Sequence, residues 1–311
     1  MHQLLSVDSS RFSSHLSTIP RRLWLGLIVC LVAWWTAWFG PAPFSEYTFF
    51  PLWLGYILAV DGLTCARTGS SLLTRNPRRF ALLFVISAPL WWLFELANRF
   101  LGNWRYLMPR SYDAASFTLL ASLDFSTVLP AVFVTAELLR TVAPFAPARR
   151  WMRIDLDRLR LVGVSLLGLV LFVASLAAPH VLFPFVWIGP VLFLDPINAL
   201  LGNPSLTEQV RTGRWDTVLV LFAAGLVCGW FWEMWNVWSM PKWVYVVPFV
   251  GRPKLFEMPL LGYGGYLPFA LEVFAVWSLL QRFLGGHGHD WLRFTRPGAP
   301  CAAAAADDRA R

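Results

Sequence analysis

Residues 53–61, 92–98 and 104–109 read WLGYILAVD, WLFELAN and WRYLMP, and residues 187–195, 230–236 and 243–248 read WIGPVLFLD, WFWEMWN and WVYVVP. The second series restates the first, with Asp61 matching Asp195, Glu95 matching Glu233, Asn98 matching Asn236, Tyr106 matching Tyr245 and Pro109 matching Pro248. The spacing is 134 residues at the Asp, 138 at the Glu and 139 at the Tyr and Pro. Drift that small over so many landmarks indicates duplication rather than shared composition.

Working outward, the chain is 57% hydrophobic and 14% charged, with a mean hydropathy of +0.55. Soluble domains carry charge on about a quarter of their residues, so this composition belongs to the membrane class. A span needs about 20 apolar residues. The pattern predicts an all-α polytopic protein with eight spans at about 23–39, 50–66, 80–100, 116–140, 161–178, 183–201, 217–239 and 256–281. Four spans fall in each copy, and an even number gives both copies the same orientation, so the repeats are expected to be parallel. The expected divisions are an N-terminal segment at 1–20, a first repeat at 21–145, a linker at 146–160, a second repeat at 161–284 and a disordered tail at 285–311.

Of the 26 Lys and Arg residues, 20 fall in the termini and the even-numbered loops and only 6 on the other side. Cytoplasmic loops retain positive charge, so both termini are expected inside, in a bacterial inner membrane. The same bias accounts for the net charge of +8 without nucleic acid, and no nucleic-acid-binding module is visible. The lipid bilayer is the partner that the composition requires.

A carboxyl group at the centre of a bilayer helix costs about 2.5 to 3.5 kcal/mol on insertion scales. Each acidic residue in a span therefore needs a partner or a wet cavity. The candidates are Asp61, Glu95, Asp124, Glu137, Asp195, Glu233 and Glu272. Trp92, Glu95 and Asn98 share one helical face, as do Trp230, Glu233 and Asn236. Asn98 and Asn236 are expected to hydrogen-bond the neighbouring carboxyl groups and to help bind a substrate, and the alternative is that Glu and Asn bridge helices as polar glue. Asp61 and Asp195 are expected nearer the midplane, about 10 Å from the Glu of the same copy at 1.5 Å per residue, lining one cavity with it.

There are 18 Trp and 25 Phe residues. An interfacial belt is expected to take most of Trp24 to Trp38, with Trp104 and Trp243. Trp232 and Trp235 cannot share one narrow face with Trp230, so some indoles are expected to face inward and form an aromatic wall against a substrate. Gly262, Gly264 and Gly265 predict a broken start to the last span, and Tyr263 lies among them as a further candidate for binding.

The five histidines (His2, His15, His180, His287 and His289) fall outside the spans or at their edges, and no metal site or cofactor is expected. The cysteines show no paired spacing.

The order of FWEMWN, WVYVVP, GYGGYLP and Glu272, with FELAN, WRYLMP and a Leu-Pro pair in the first copy, resembles the lycopene cyclase domain of carotenoid pathways. That resemblance implies redox-neutral cyclisation of a long apolar isoprenoid, with buried carboxylic acids exchanging protons with the polyene. Glu233 and Glu272 would then carry the acid and base roles. Residues 268–272 read PFALE where that domain has an adjacent acidic pair. The competing expectation is a non-catalytic transporter or scaffold built on the duplicated bundle.

Overall fold

The computed structural model describes residues 19–142, 151–284 and 291–292. Nearly all of the expected N-terminal segment, the first part of the linker, most of the tail, and His2, His15, His287 and His289 lie outside the described residues.

The fold is mostly helical. In chain order the helices are α1 (Arg21–Phe39), α2 (Phe49–Thr68), α3 (Leu72–Arg75), α4 (Pro77–Leu101), α5 (Ala114–Phe125), α6 (Val128–Leu139), α7 (Arg158–Ala177), α8 (Pro179–Leu182), α9 (Phe185–Leu201), α10 (Leu206–Arg211), α11 (Asp216–Asn236) and α12 (Tyr266–Phe283). Four short strands, β1 (Trp104–Leu107), β2 (Lys242–Tyr245), β3 (Lys254–Leu255) and β4 (Met258–Pro259), lie in the connections. Among the described residues, seven segments are long and apolar enough to cross a bilayer, with α5 and α6 counted together as Ala114–Leu139 and the last as Leu260–Phe283. This is the build of an integral membrane protein.

Three spans differ from expectation. The sixth is a 17-residue helix, α9, because Pro179 opens a separate short helix before it. The fourth breaks between Phe125 and Val128, where the Thr127 hydroxyl donates to the Asp124 carbonyl at 2.7 Å and Pro130 supplies no backbone N–H. The last begins as a 3-10 turn over Leu260–Gly265, as its glycines predicted, and becomes α-helical at Tyr266.

Helix pairs cross where side chains vanish. A methyl group on Gly26 of α1 would sit 2.4 Å from the Ala59 nitrogen, and one on Gly55 of α2 would sit 2.5 Å from the Cys30 nitrogen. The α7–α9 pair repeats the device, with Gly168 facing the Phe193 nitrogen at 2.4 Å and Gly189 facing the Gly168 carbonyl at 2.9 Å. Lipid tails are as apolar as leucine, so close backbone approach through small residues is what holds such pairs together.

The two W-x-Y stretches meet. β1 and β2 pair antiparallel, with Trp104 opposite Tyr245 and Tyr106 opposite Trp243. Each landmark of one stretch thus faces the complementary landmark of the other. The described part of the linker, from Trp151, lies along the second half through Trp151 N–H to Gly213 O and Ile154 N–H to Val210 O. Trp291 was expected in a disordered tail but packs inside, its indole donating to Leu72 O at 3.1 Å and its ring 5.3 Å from that of Trp277.

Replacing Gly55 or Gly168 with leucine is expected to lower unfolding stability in detergent by about 1 to 3 kcal/mol or more through overpacking. Gly163→Ala is the control, because nothing lies within 4 Å of a methyl group there. Equal thermal midpoints for all three variants would contradict this packing.

Candidate functional site

Asp61 and Asp195 hold short helices in place. Asp61 accepts from Arg22 at 2.9 Å, from the Ser71 hydroxyl at 2.8 Å and from Leu73 N–H at 3.1 Å, at the start of α3. Asp195 accepts from Leu206 N–H at 2.8 Å, Thr207 N–H at 2.7 Å and the Thr207 hydroxyl at 2.6 Å, at the start of α10. A carboxylate at a helix N-terminus satisfies otherwise orphaned N–H groups and complements the dipole. Asp61 therefore lies level with Arg22 in the first turn of α1, away from the expected midplane position, and neither Asp lines the cavity described below.

Asn98 and Asn236 bond to backbone, not to the carboxyl groups. The Asn98 amide donates to Trp104 O at 2.8 Å and its oxygen accepts from Asn103 N–H at 2.9 Å and Trp104 N–H at 3.2 Å. Asn236 does the same to Trp243, donating to its carbonyl at 2.7 Å and accepting from its N–H at 2.9 Å. Each amide pins the strand that follows its helix.

That pinning delivers a tyrosine to each glutamate. The Tyr106 hydroxyl donates to Glu95 Oε1 at 2.6 Å, joined by the indoles of Trp91 and Trp104, both at 3.1 Å. The indole that reaches Glu95 from its own helix thus belongs to Trp91, while Trp92 donates to the Ser122 hydroxyl. In the second half Tyr245 donates to Glu233 Oε1 at 2.6 Å and Tyr266 adds a second phenol at 2.7 Å. Trp243 Nε1 donates to the Tyr245 oxygen at 2.8 Å. Burial first, and then the adjacent carboxyl group, push the Tyr106 and Tyr245 phenols well above their ordinary pKa, so both remain donors. Glu233 is 0% exposed, and its Oε2 makes no hydrogen bond among the described residues.

These groups stand behind a cavity of about 410 Å³ at the end of the bundle where the connections 40–48, 102–113, 178–184 and 237–259 gather. Its walls are mainly apolar and rich in aromatic rings, with Trp91, Trp104, Trp187, Trp232, Trp243 and Phe269 prominent. Tyr106, Tyr245 and Tyr266 line it directly, whereas Glu95 and Glu233 lie behind them. Trp232 and Trp235 face inward as expected and line the wall, at 6% and 2% exposure. Trp104 and Trp243, expected in the interfacial belt, are wall residues instead. Of the α1 indoles, Trp24 and Trp35 are exposed, while Trp38 packs 4.9 Å from Trp238 and Trp34 packs 6.1 Å from Trp235.

Among the described residues two carboxyl groups reach the cavity. Glu46 is tied to Arg110 at 2.8 Å and to the Tyr112 hydroxyl at 2.5 Å, and the Tyr112 bond, followed by the guanidinium, holds it below the usual carboxylate range. Asp124 is the other, at the break between α5 and α6. Glu272 is buried at 3% exposure, lies off the cavity, and has an Oε2 that makes no hydrogen bond among the described residues. Tyr263 also lies off it and donates to Leu255 O at 3.2 Å. Among the described residues no group of three or more His, Cys, Asp or Glu side chains comes together to hold a metal ion.

The structure thus brings together Trp232, Trp235 and Tyr245 at the wall, with Glu95 and Glu233 behind it. It does not bring in Asp61, Asp195, Asn98, Asn236, Glu272 or Tyr263. Sequence reasoning missed Tyr266 and Trp187 as site residues. Trp187 opens the repeated WIGPVLFLD stretch, so its recurrence at Trp53 was a usable signal. No family model, curated protein or solved structure matches the chain.

Asn98→Ala and Asn236→Ala are each expected to cost about 1 to 3 kcal/mol, the penalty for leaving buried backbone groups unpaired. Unfolding titrations in detergent measure this. A loss below about 0.5 kcal/mol for both would show that the strands need no such pin.

Proposed function

We propose that the chain is an eight-span protein of the bacterial inner membrane, made of two parallel four-helix repeats with both termini cytoplasmic, whose cavity takes a long apolar isoprenoid for redox-neutral, proton-initiated cyclisation. Support for the repeat comes from the matching element order, the antiparallel pairing of β1 and β2, and the recurrence of the Asp and Asn bonding in each half. The apolar α9 supplies the eighth span if it crosses the thinner part of a bilayer. The orientation is supported by the arginines paired at the end opposite the cavity, namely Arg22 with Asp61, Arg75 with Glu137, and Arg140 and Arg214 with Asp216.

The observation that carries the reading is an aromatic-walled cavity backed by buried carboxyl groups that neutral donors hold. Indole and phenol faces attract positive charge, and a cyclising polyene develops such charge on carbon. The sequence resemblance to lycopene cyclase domains points to the same substrate class. Glu233 acts on the cavity through Tyr245 and Tyr266, and Glu95 acts through Tyr106. The chemistry needs no oxidant, since a proton added to the polyene is later removed from it.

Expressing the chain in a host that accumulates a linear C40 polyene is expected to yield a cyclised pigment, and Glu233→Gln is expected to lower its formation by about 10². Pigments identical with and without the gene would remove the cyclase reading and leave transport or scaffolding as the alternative.

A further inference from the structure

Of the seven carboxyl groups that the sequence places in spans, six are engaged elsewhere or lie off the cavity. Asp61 and Asp195 hold α3 and α10, Glu137 pairs with Arg75, Glu95 and Glu233 are bound by phenols behind the wall, and Glu272 does not reach the cavity. Asp124 is different. It lines the cavity and retains accessible surface, its carboxylate faces the backbone N–H of Phe50 in the first turn of α2, and among the described residues no cation pairs with it. Glu46, which shares the cavity, is already occupied by Arg110 and Tyr112.

The backbone around Asp124 supports the same assignment. α5 stops at Phe125 and α6 starts at Val128, leaving Ser126 and Thr127 outside regular helix. Non-helical backbone at membrane depth is tolerated where it is buried in protein or lines a cavity. The second half breaks at the matching place, before Leu267 and Pro268, where Leu129 and Pro130 stand in the first. There the break carries Gly262, Gly264 and Gly265, which line the same cavity. The two breaks therefore meet at one chamber, and only the first brings an acid to it.

We propose that Asp124 is the carboxylic acid that touches the ligand, and that the ligand presents an electron-rich double bond to it. This rests on the isoprenoid reading above and moves the direct acid role from Glu233 to Asp124. The proton leaves the Asp124 carboxyl group for one carbon of the double bond, whose π pair forms the new C–H bond. The neighbouring carbon becomes cationic, facing the Asp124 carboxylate and the indoles of Trp91 and Trp232. A second double bond of the same chain attacks that cationic carbon, its π pair forming the C–C bond of the ring and leaving the charge on its own far carbon. Loss of a proton from a carbon beside this new cation to the Asp124 carboxylate forms the product double bond and restores the acid, so no oxidant or reductant is needed.

The test uses dicyclohexylcarbodiimide, which adds a protonated carboxyl group across its C=N bond and reaches acids through apolar surroundings. The full chain is treated in detergent and mapped by peptide mass spectrometry. Asp124 is expected to carry the adduct, Asp124→Asn to lose it and Asp124→Glu to keep it. Squalene at about ten times its dissociation constant is expected to slow the modification about tenfold. In the polyene-accumulating host, Asp124→Asn is expected to reduce cyclised product by about 10² or more. Labelling of Glu233 or Glu272 with Asp124 untouched would overturn the assignment, as would full pigment formation by Asp124→Asn. Labelling of Asp124 that squalene slows, in a chain that leaves the pigment unchanged, would preserve the contact between Asp124 and the ligand while removing the cyclisation reading.

Discussion

A carboxyl group surrounded by hydrocarbon must be met by donors that the protein itself supplies, and here the Oε1 atoms of Glu95 and Glu233 accept from neutral phenols and indoles rather than from cations. The rest of the architecture serves that requirement. Each glutamate sits within two turns of the end of a long helix, the asparagine about one turn later fixes the chain as it leaves, and the strand so fixed returns a tyrosine to the carboxyl group. Because β1 and β2 then pair with each other, the two bonded units form one wall. Breaking either asparagine would release a strand, a tyrosine and part of the cavity together.

The charges divide between the two ends of the bundle by the same logic. At one end Arg22, Arg75, Arg140 and Arg214 meet Asp61, Glu137 and Asp216. At the other end the cavity has a mainly apolar lining rich in aromatic rings, with Asp124 and the paired Glu46 as its acids. An apolar chamber bearing an acid that pairs with no cation among the described residues suits a ligand that is itself largely apolar.

Much of this was legible in the repeated segments. Composition and periodicity gave the membrane class and most helix positions, and the glycines at 262–265 marked the broken start of the last span. The pairing of helix-borne asparagine with strand backbone was not legible, because nothing in the spacing separates an amide that bonds a carboxyl group from one that bonds a later peptide. A usable signal for the aspartates was present: Ser71 and Ser205 each follow their Asp at the same distance and each precedes a leucine, the pattern of a helix start. Tyr106 and Tyr245 recur with their glutamates at nearly constant spacing, whereas Tyr266 lies 33 residues from Glu233 and only tertiary packing joins them. Asp124 has no counterpart in the second series, so the match that singled out Asp61, Asp195, Glu95 and Glu233 did not extend to it.

The central claim is that phenols hold the buried carboxyl groups, and a double-mutant cycle on unfolding free energy in detergent tests it most directly. Glu233→Leu and Tyr266→Phe are made singly and together, with Tyr245→Phe as a parallel pair. The bonded arrangement predicts a coupling of about 1 kcal/mol or more for each pair, since removing one partner strands the other. Additivity within about 0.5 kcal/mol for both pairs would contradict it.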